Sequence, residues 1–174
     1  MPVREKGAKQ LTTSSGEQEA TRLERAVATF LDRLQVVPPD LQTRAPAEGE
    51  WTIKELAAHQ AEIFGYWGQQ MAYVKANPGQ PFGRTAEDPD RIKYVQDHKD
   101  DPLDDLASAI KLGADQAAAA LRSFNNAEWG RITGLHSRRG VMDMDAISNL
   151  FVAGHAEEHL KQLDETLAAV RARG

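Results

Sequence analysis

Apolar residues recur at three- and four-residue intervals over four long stretches of the chain, the spacing that lines them up on one face of an α-helix. In the first stretch, Ala20, Leu23, Val27, Phe30, Leu31 and Leu34 form a stripe that closes before Pro38-Pro39, where the pyrrolidine rings stop a helix. Ser15 followed by Gln18 predicts a capping box at its start, with Ser14 and Glu17 an equivalent choice one residue earlier. The second stripe is Leu56, Gln60, Ile63, Phe64, Trp67, Met71 and Val74. It follows a second capping box, Thr52 with Glu55, and ends at Asn77-Pro78-Gly79. The third runs from about Leu103 to Asn125 through Leu106, Ile110, Ala114, Ala117, Leu121 and Phe124. The fourth is capped by Asp143 or Asp145 and continues to about Ala172, with Ile147, Phe151, Leu163, Leu167 and Val170 inward.

The segments between the stripes complete the outline. About 25 residues up to Pro102 carry Pro78, Pro81, Pro89 and many charges, a connection long enough to be a crossover between helices not joined by a hairpin. A short helical piece is expected within it at Arg91–His98. Residues 129–143, with Gly130, Gly134 and Gly140, read as irregular. Residues 1–13 are polar and aperiodic and read as a flexible N-terminal tail, leaving residues 14–174 as one domain. The expected class is all-α, a four-helix bundle.

Composition narrows the chemistry. The 174 residues contain no Cys, which removes disulfides, thiolate metal sites and cysteine nucleophiles. The start has charges at Arg4, Glu5, Lys6 and Lys9 with no apolar run behind them, so no secretory signal is expected, and no stretch approaches the length of a membrane span. A cytoplasmic protein without a membrane partner is the expectation. Net charge is −5, and Arg138-Arg139 is the one dense basic pair, so a nucleic-acid partner is not expected.

Phe151-Val-Ala-Gly-His155-Ala-Glu-Glu-His159-Leu is the most informative stretch. Two His at i and i+4 share a helix face with Cβ atoms about 5–6 Å apart, which suits two imidazoles converging on one metal ion. Both fall inside the buried stripe of the fourth helix, while Glu157 and Glu158 point away from it. A pair of hydrogen-bonded core histidines would have the same phase. A third ligand has to come from another helix, and His59 is the natural candidate. It lies at the edge of its own stripe, where periodicity alone reads it as partly exposed.

Other site patterns are absent. A His-Glu-x-x-His protease motif needs Glu where Ala156 stands. A di-iron bundle needs Glu three residues before its His, where Leu56, Val152 and Ala156 occur. Of the remaining histidines, His98 falls in the charged crossover and reads as solvent-facing. His136 stands beside Ser137, Arg138 and Arg139, in a loop that either overhangs the metal end with anion-attracting guanidiniums or is ordinary charged surface. Glu55 and Glu62, one turn either side of His59, read either as partners that orient its ring or as exposed helix charges.

Trp51-x3-Glu55-x3-His59, the long crossover, and His155-x3-His159 followed by Leu160 and Leu163 together resemble the DinB-like superfamily, over about residues 17–171. The resemblance implies a four-helix bundle in up-down-down-up order, with His59, His155 and His159 holding one divalent ion, zinc or nickel, at one end. It implies a homodimer and a small-molecule substrate. Characterised members use low-molecular-weight thiols such as bacillithiol or mycothiol, so the leading expectation is a metal-dependent S-transferase acting on small electrophiles. The alternatives are metal-assisted hydrolysis, with Glu62 as the available carboxylate base, and a non-catalytic metal-binding stress-response protein.

Overall fold

In the computed structural model, which describes residues 14–173, the four apolar stripes pack into a helical bundle. The predicted N-terminal tail lies outside the described residues. Helix α1 spans Gly16–Gln35, α2 Ile53–Ala76, α4 Leu103–Arg122 and α7 Ala153–Ala172, with the shorter α3 (Pro89–His98), α5 (Asn126–Arg131) and α6 (Met144–Phe151) between them. A 3-10 turn at Pro39–Leu41 follows α1.

Both predicted capping boxes form. Ser15 Oγ accepts from the Gln18 amide at 3.2 Å while Gln18 Oε1 accepts from Ser15 N at 2.9 Å, and Thr52 and Glu55 repeat the exchange at 3.2 and 2.9 Å. Ser14 is not the cap; its hydroxyl donates to Asp145 instead. Asp143, not Asp145, caps α6, its side chain accepting from the Ala146 amide at 2.8 Å.

Leu23, Phe30, Leu56, Phe64, Met71, Ile110, Leu121, Leu163 and Val170 are buried in one continuous core, each contributing about 1.5–3 kcal/mol relative to exposure. Helices α2 and α4 approach closely enough for their backbones to touch. A Cβ on Gly113 would meet Gly65 N at 3.0 Å, and one on Gly68 would meet Ala117 Cα at 3.1 Å. On the other side α1 is tied to α4 through Arg122, which donates to Glu17 at 3.0 Å and Glu24 at 2.8 Å. It is tied to α7 through Arg22–Glu157 at 2.6 Å and Arg33–Asp164 at 3.0 Å. These exposed pairs are worth about 0–1 kcal/mol each and fix register more than stability.

The fold is mostly helical but not purely so. Pro81–Phe82 (β1), Thr133–His136 (β2) and Gly140–Asp143 (β3) form a three-stranded sheet, β1 parallel to β2 and β2 antiparallel to β3. The expected irregular segment 129–143 is therefore a short helix end and a hairpin. Its three-residue loop, Ser137 to Arg139, is followed by Gly140 at φ 72°, the left-handed position such a loop requires. Strands this short have no readable alternation, which is why the pattern predicted none. The expected single fourth helix is also two: the backbone turns at Val152 (φ −126°, ψ −90°), separating α6 from α7. Among the described residues no helix is long and apolar enough to cross a membrane.

Candidate metal centre

His59 stands on the second turn of α2, in a run from Leu56 to Ala61 that is buried throughout. Its ring is not half-exposed as periodicity implied; only 1% of the residue reaches the surface. The reason is that α2 is covered on several sides, by α3, α4, α7 and the Trp51 ring, whose centroid lies 4.8 Å from that of His59. His155 and His159 lie one turn apart at the start of α7 and are half-buried, while Glu157 and Glu158 are exposed as expected.

The three rings meet tip to tip. His59 Nε2 is 3.4 Å from His155 Nε2 and 3.1 Å from His159 Nε2, and the latter two are 2.8 Å apart. Three imidazoles ligating one ion at 2.0–2.1 Å with tetrahedral angles would hold their nitrogens roughly 3.3 Å apart. The observed triangle has that size. His159 Nδ1 donates to Gln162 Oε1 at 2.7 Å, which leaves its Nε2 with the lone pair facing the other two rings. Glu158 lies 3.9 Å from His155 Nδ1, and His59 Nδ1 has no hydrogen-bond partner among the described residues.

All three rings are held neutral. Burial pushes the His59 imidazole well below its ordinary range, helped by the charges His159 and Arg91 would place nearby. Burial likewise drives His155 down to about 3 and lowers His159, against the raising effect of the Gln162 hydrogen bond. With all three rings presenting the Nε2 lone pair, as His159 does through its Nδ1–H bond to Gln162, the nitrogens cannot satisfy one another, since a lone pair facing a lone pair makes no hydrogen bond. A bound cation does satisfy them.

Beside the triangle lies a cavity of about 130 Å³, walled by Ile63, Trp67 and Phe151 and by Arg84 and Arg91. The Trp67 and Phe151 rings stack at 4.1 Å and 5°, and His136 extends the stack at 5.2 Å from Phe151. His136 is buried rather than part of an overhanging basic loop. Its Nε2 donates to the Arg84 carbonyl at 3.2 Å and its Nδ1 accepts from Arg138 N at 3.3 Å, so the ring pins the crossover to the hairpin. Arg138 pairs with Glu87 on the surface at 3.1 Å and Arg139 is exposed, so neither faces the cavity. His98 is half-buried and bonded to Asp101 at 2.7 Å.

Neither glutamate flanking His59 touches its ring. Glu55 is engaged in the α2 cap, and Glu62 pairs with Arg84. The cavity residues that sequence reasoning missed are Arg84, Thr85, Ala86 and Arg91, all from the crossover. Gln162 was readable, since it follows His159 by three residues on one helix face.

A bundle in which two helices bring three imidazole nitrogens to one point beside a small cavity defines a helical protein with a candidate metal centre. Residues 22–163 match the sequence profile of the DinB superfamily, and the chain belongs to that superfamily. YfiT from Bacillus subtilis, described as a probable metal-dependent hydrolase with an unusual four-helix bundle topology, is 14% identical, with 97% of this chain and 94% of that one covered at a TM-score of 0.71. A mycothiol-dependent maleylpyruvate isomerase is also 14% identical and covers 90% of this chain at a TM-score of 0.63; the match takes in 61% of the isomerase, less than two thirds of its length. The colibactin self-resistance protein ClbS, solved in complex with double-stranded DNA, is 15% identical, with 88% and 96% covered and a TM-score of 0.61. At these identities the shared property is the fold. No curated protein matches the chain in sequence.

Proposed function

We propose that His59, His155 and His159 hold one divalent metal ion, zinc or nickel, and that the protein is a metal-dependent S-transferase joining a low-molecular-weight thiol to a small electrophile. The observation that carries this reading is the triangle of Nε2 atoms, 2.8–3.4 Å on a side, made of neutral rings. When bound, an ion with three imidazole ligands keeps a further position for a thiol or a water and lowers its pKa.

The chain's own residues supply the setting. Gln162 orients the His159 ring through Nδ1, and Trp51 packs against His59. Ile63, Trp67 and Phe151 keep the cavity wall apolar, which limits water around a reacting sulfur. In the transfer, the thiol sulfur forms the new bond to carbon, the leaving group departs with the bonding pair, and the thiol proton leaves with it.

Contact pairs support the up-down-down-up order. Residues 65 and 68 of α2 lie against 113 and 117 of α4, both advancing in the same sense, and residues 22 and 33 of α1 face 157 and 164 of α7 likewise. We further infer a homodimer, tested by sedimentation velocity across a wide concentration range; a monomer throughout removes it.

Hydrolysis is the second reading, favoured by the description of YfiT. Its carboxylate base would be Glu62, which is engaged with Arg84 and does not line the cavity. A non-catalytic metal-binding protein is the third. Assays with monobromobimane or a chloronitrobenzene separate them: consumption that requires added thiol supports transfer, and ester or amide turnover without thiol replaces it with hydrolysis. Absence of both, with a large loss of melting temperature on chelation, leaves the non-catalytic reading. A DNA shift assay, prompted by the ClbS complex, is expected to be negative.

A further inference from the structure

The two guanidinium groups at the cavity differ in how their charges are balanced. Arg84 pairs with Glu62, lies 3.7 Å from Asp88 Oδ1, and covers the Tyr66 ring at 3.7 Å. Arg91 has no such partner. Among the described residues its one side-chain hydrogen bond runs from Nη1 to the Ala86 carbonyl at 2.9 Å, and its guanidinium carbon stands 5.5 Å from the Trp51 ring centroid. Glu62, Glu87 and Asp88 act on it electrostatically, but among the described residues no carboxylate lies within ion-pair distance. Among the described residues, the donors on Nε and Nη2 of Arg91 have no acceptor.

That cation lines the same cavity as His59 and His155, and its charge acts on all three histidines. A guanidinium beside a centre built for a divalent cation raises the energy of both. An anion seated between them turns both repulsions into attractions. The cavity that separates them, about 130 Å³, has room for roughly four water molecules' volume. Its other wall, Ile63, Trp67 and Phe151, is mostly carbon and suits the few carbon atoms of a small ligand.

We propose that Arg91 is the anion-recognition residue of this site, and that the molecule it selects is a small monocarboxylate whose carboxylate lies on the Arg91 guanidinium and whose carbon body lies against Trp67 and Phe151. The second positive charge and the direction of the ligand's reacting end rest on the metal reading above; the Arg91 guanidinium without a carboxylate partner and the cavity beside it do not. Propionate fits the cavity, and propionamide has its shape without its charge.

The test is a titration of full-length, 15N-labelled protein with propionate, propionamide and inorganic phosphate, following the Arg91 Nε–H and Trp67 Nε1–H resonances, with metal content measured on the same samples. Propionate is expected to move both signals saturably. Propionamide should need at least ~10-fold higher concentration, the usual worth of a charge-assisted bond. Arg91→Gln should weaken propionate, read at Trp67, by at least ~10-fold with metal content and melting temperature unchanged. Arg91→Lys should fall between, and it serves if the Gln variant does not fold. Equal binding of propionate and propionamide, weakening by less than about 2-fold in Arg91→Gln, or tighter binding of phosphate overturns the proposal. Arg91-dependent propionate binding in protein free of divalent ion would remove the metal reading and keep this one. A full equivalent of ion with no propionate response does the reverse.

Discussion

A Cβ on Gly154 would stand 2.1 Å from the carbonyl oxygen of Asn149. The two residues flank the turn at Val152, where α6 stops and α7 starts, and the next residue is His155. Asn149 is in turn held from outside, its Oδ1 accepting from both Nη atoms of Arg22 at 3.1 Å. The helix break, set by a glycine against a carbonyl and clamped by α1, decides where the first turn of α7 presents its imidazoles.

Gly154→Ala therefore acts on the site as well as on stability. The contact is with backbone, so the break must shift, at a cost of about 1–3 kcal/mol, and His155 moves with it. Faster loss of metal to a chelator and a lower melting temperature are expected. Gly65→Ala, where a Cβ meets nothing within 4 Å, is the control. It removes a helix-interior glycine and should be neutral or stabilising by about 0.5–1 kcal/mol. Unaltered metal retention in Gly154→Ala would separate the break from the site.

Protein purified without added metal is expected to hold one equivalent of a divalent ion by elemental analysis, and His155→Ala or His159→Ala to lose most of it. Gln162→Leu removes the Nδ1 partner of His159 and should weaken retention about 10–100-fold without abolishing it. Stoichiometric ion in the triple variant of His59, His155 and His159 would defeat the ligand assignment.

Metal removal and pH act through the same rings. Loss of an ion present at about 100 times its Kd costs about 2.7 kcal/mol, a fall in melting temperature of roughly 5–10 °C for a domain of this size. In the metal-free protein the folded-state imidazoles have lowered pKa values, so below pH about 6.5 the unfolded chain binds protons that the folded one does not. Their contribution to stability is thus fully present above about pH 6.5 and lost as pH falls, continuing to about 3 for His155. The slope is up to about 1.4 kcal/mol per pH unit for each ring that stays neutral. Urea melts of metal-free protein between about pH 7 and 4 check it; a flat profile would mean the rings protonate freely in the fold.

Trp67 joins the core to the cavity wall, buried at 4% exposure with its ring flat on Phe151. Trp67→Ala should cost about 3–5 kcal/mol, and Trp67→Phe, which keeps an aromatic face, clearly less. Equal midpoints in urea for the two variants would show that the stack carries little of the energy.

The long amphipathic stretches determined α1, α2 and α4 and most of α7 by themselves, because one buried face per helix leaves a period that any reading of the chain detects. The capping boxes at Ser15 and Thr52 were legible for the same local reason: their partners lie three residues apart. So was the pairing of His155 with His159, which helix geometry alone places on one side.

Only the tertiary structure decided what depended on contacts distant in sequence. The parallel pairing of Pro81 with Leu135 joins the segments before and after the third stripe and has no local signature. The break at Val152 interrupts a pattern that reads as continuous. His59 is buried by helices and a tryptophan that its own phase knows nothing of, and Arg91 reaches the histidines because the sheet and the His136 hydrogen bond to Arg84 anchor the crossover there. Periodicity records which face of an element is buried; which element covers it, and which charge is carried over it, is set when the chain closes.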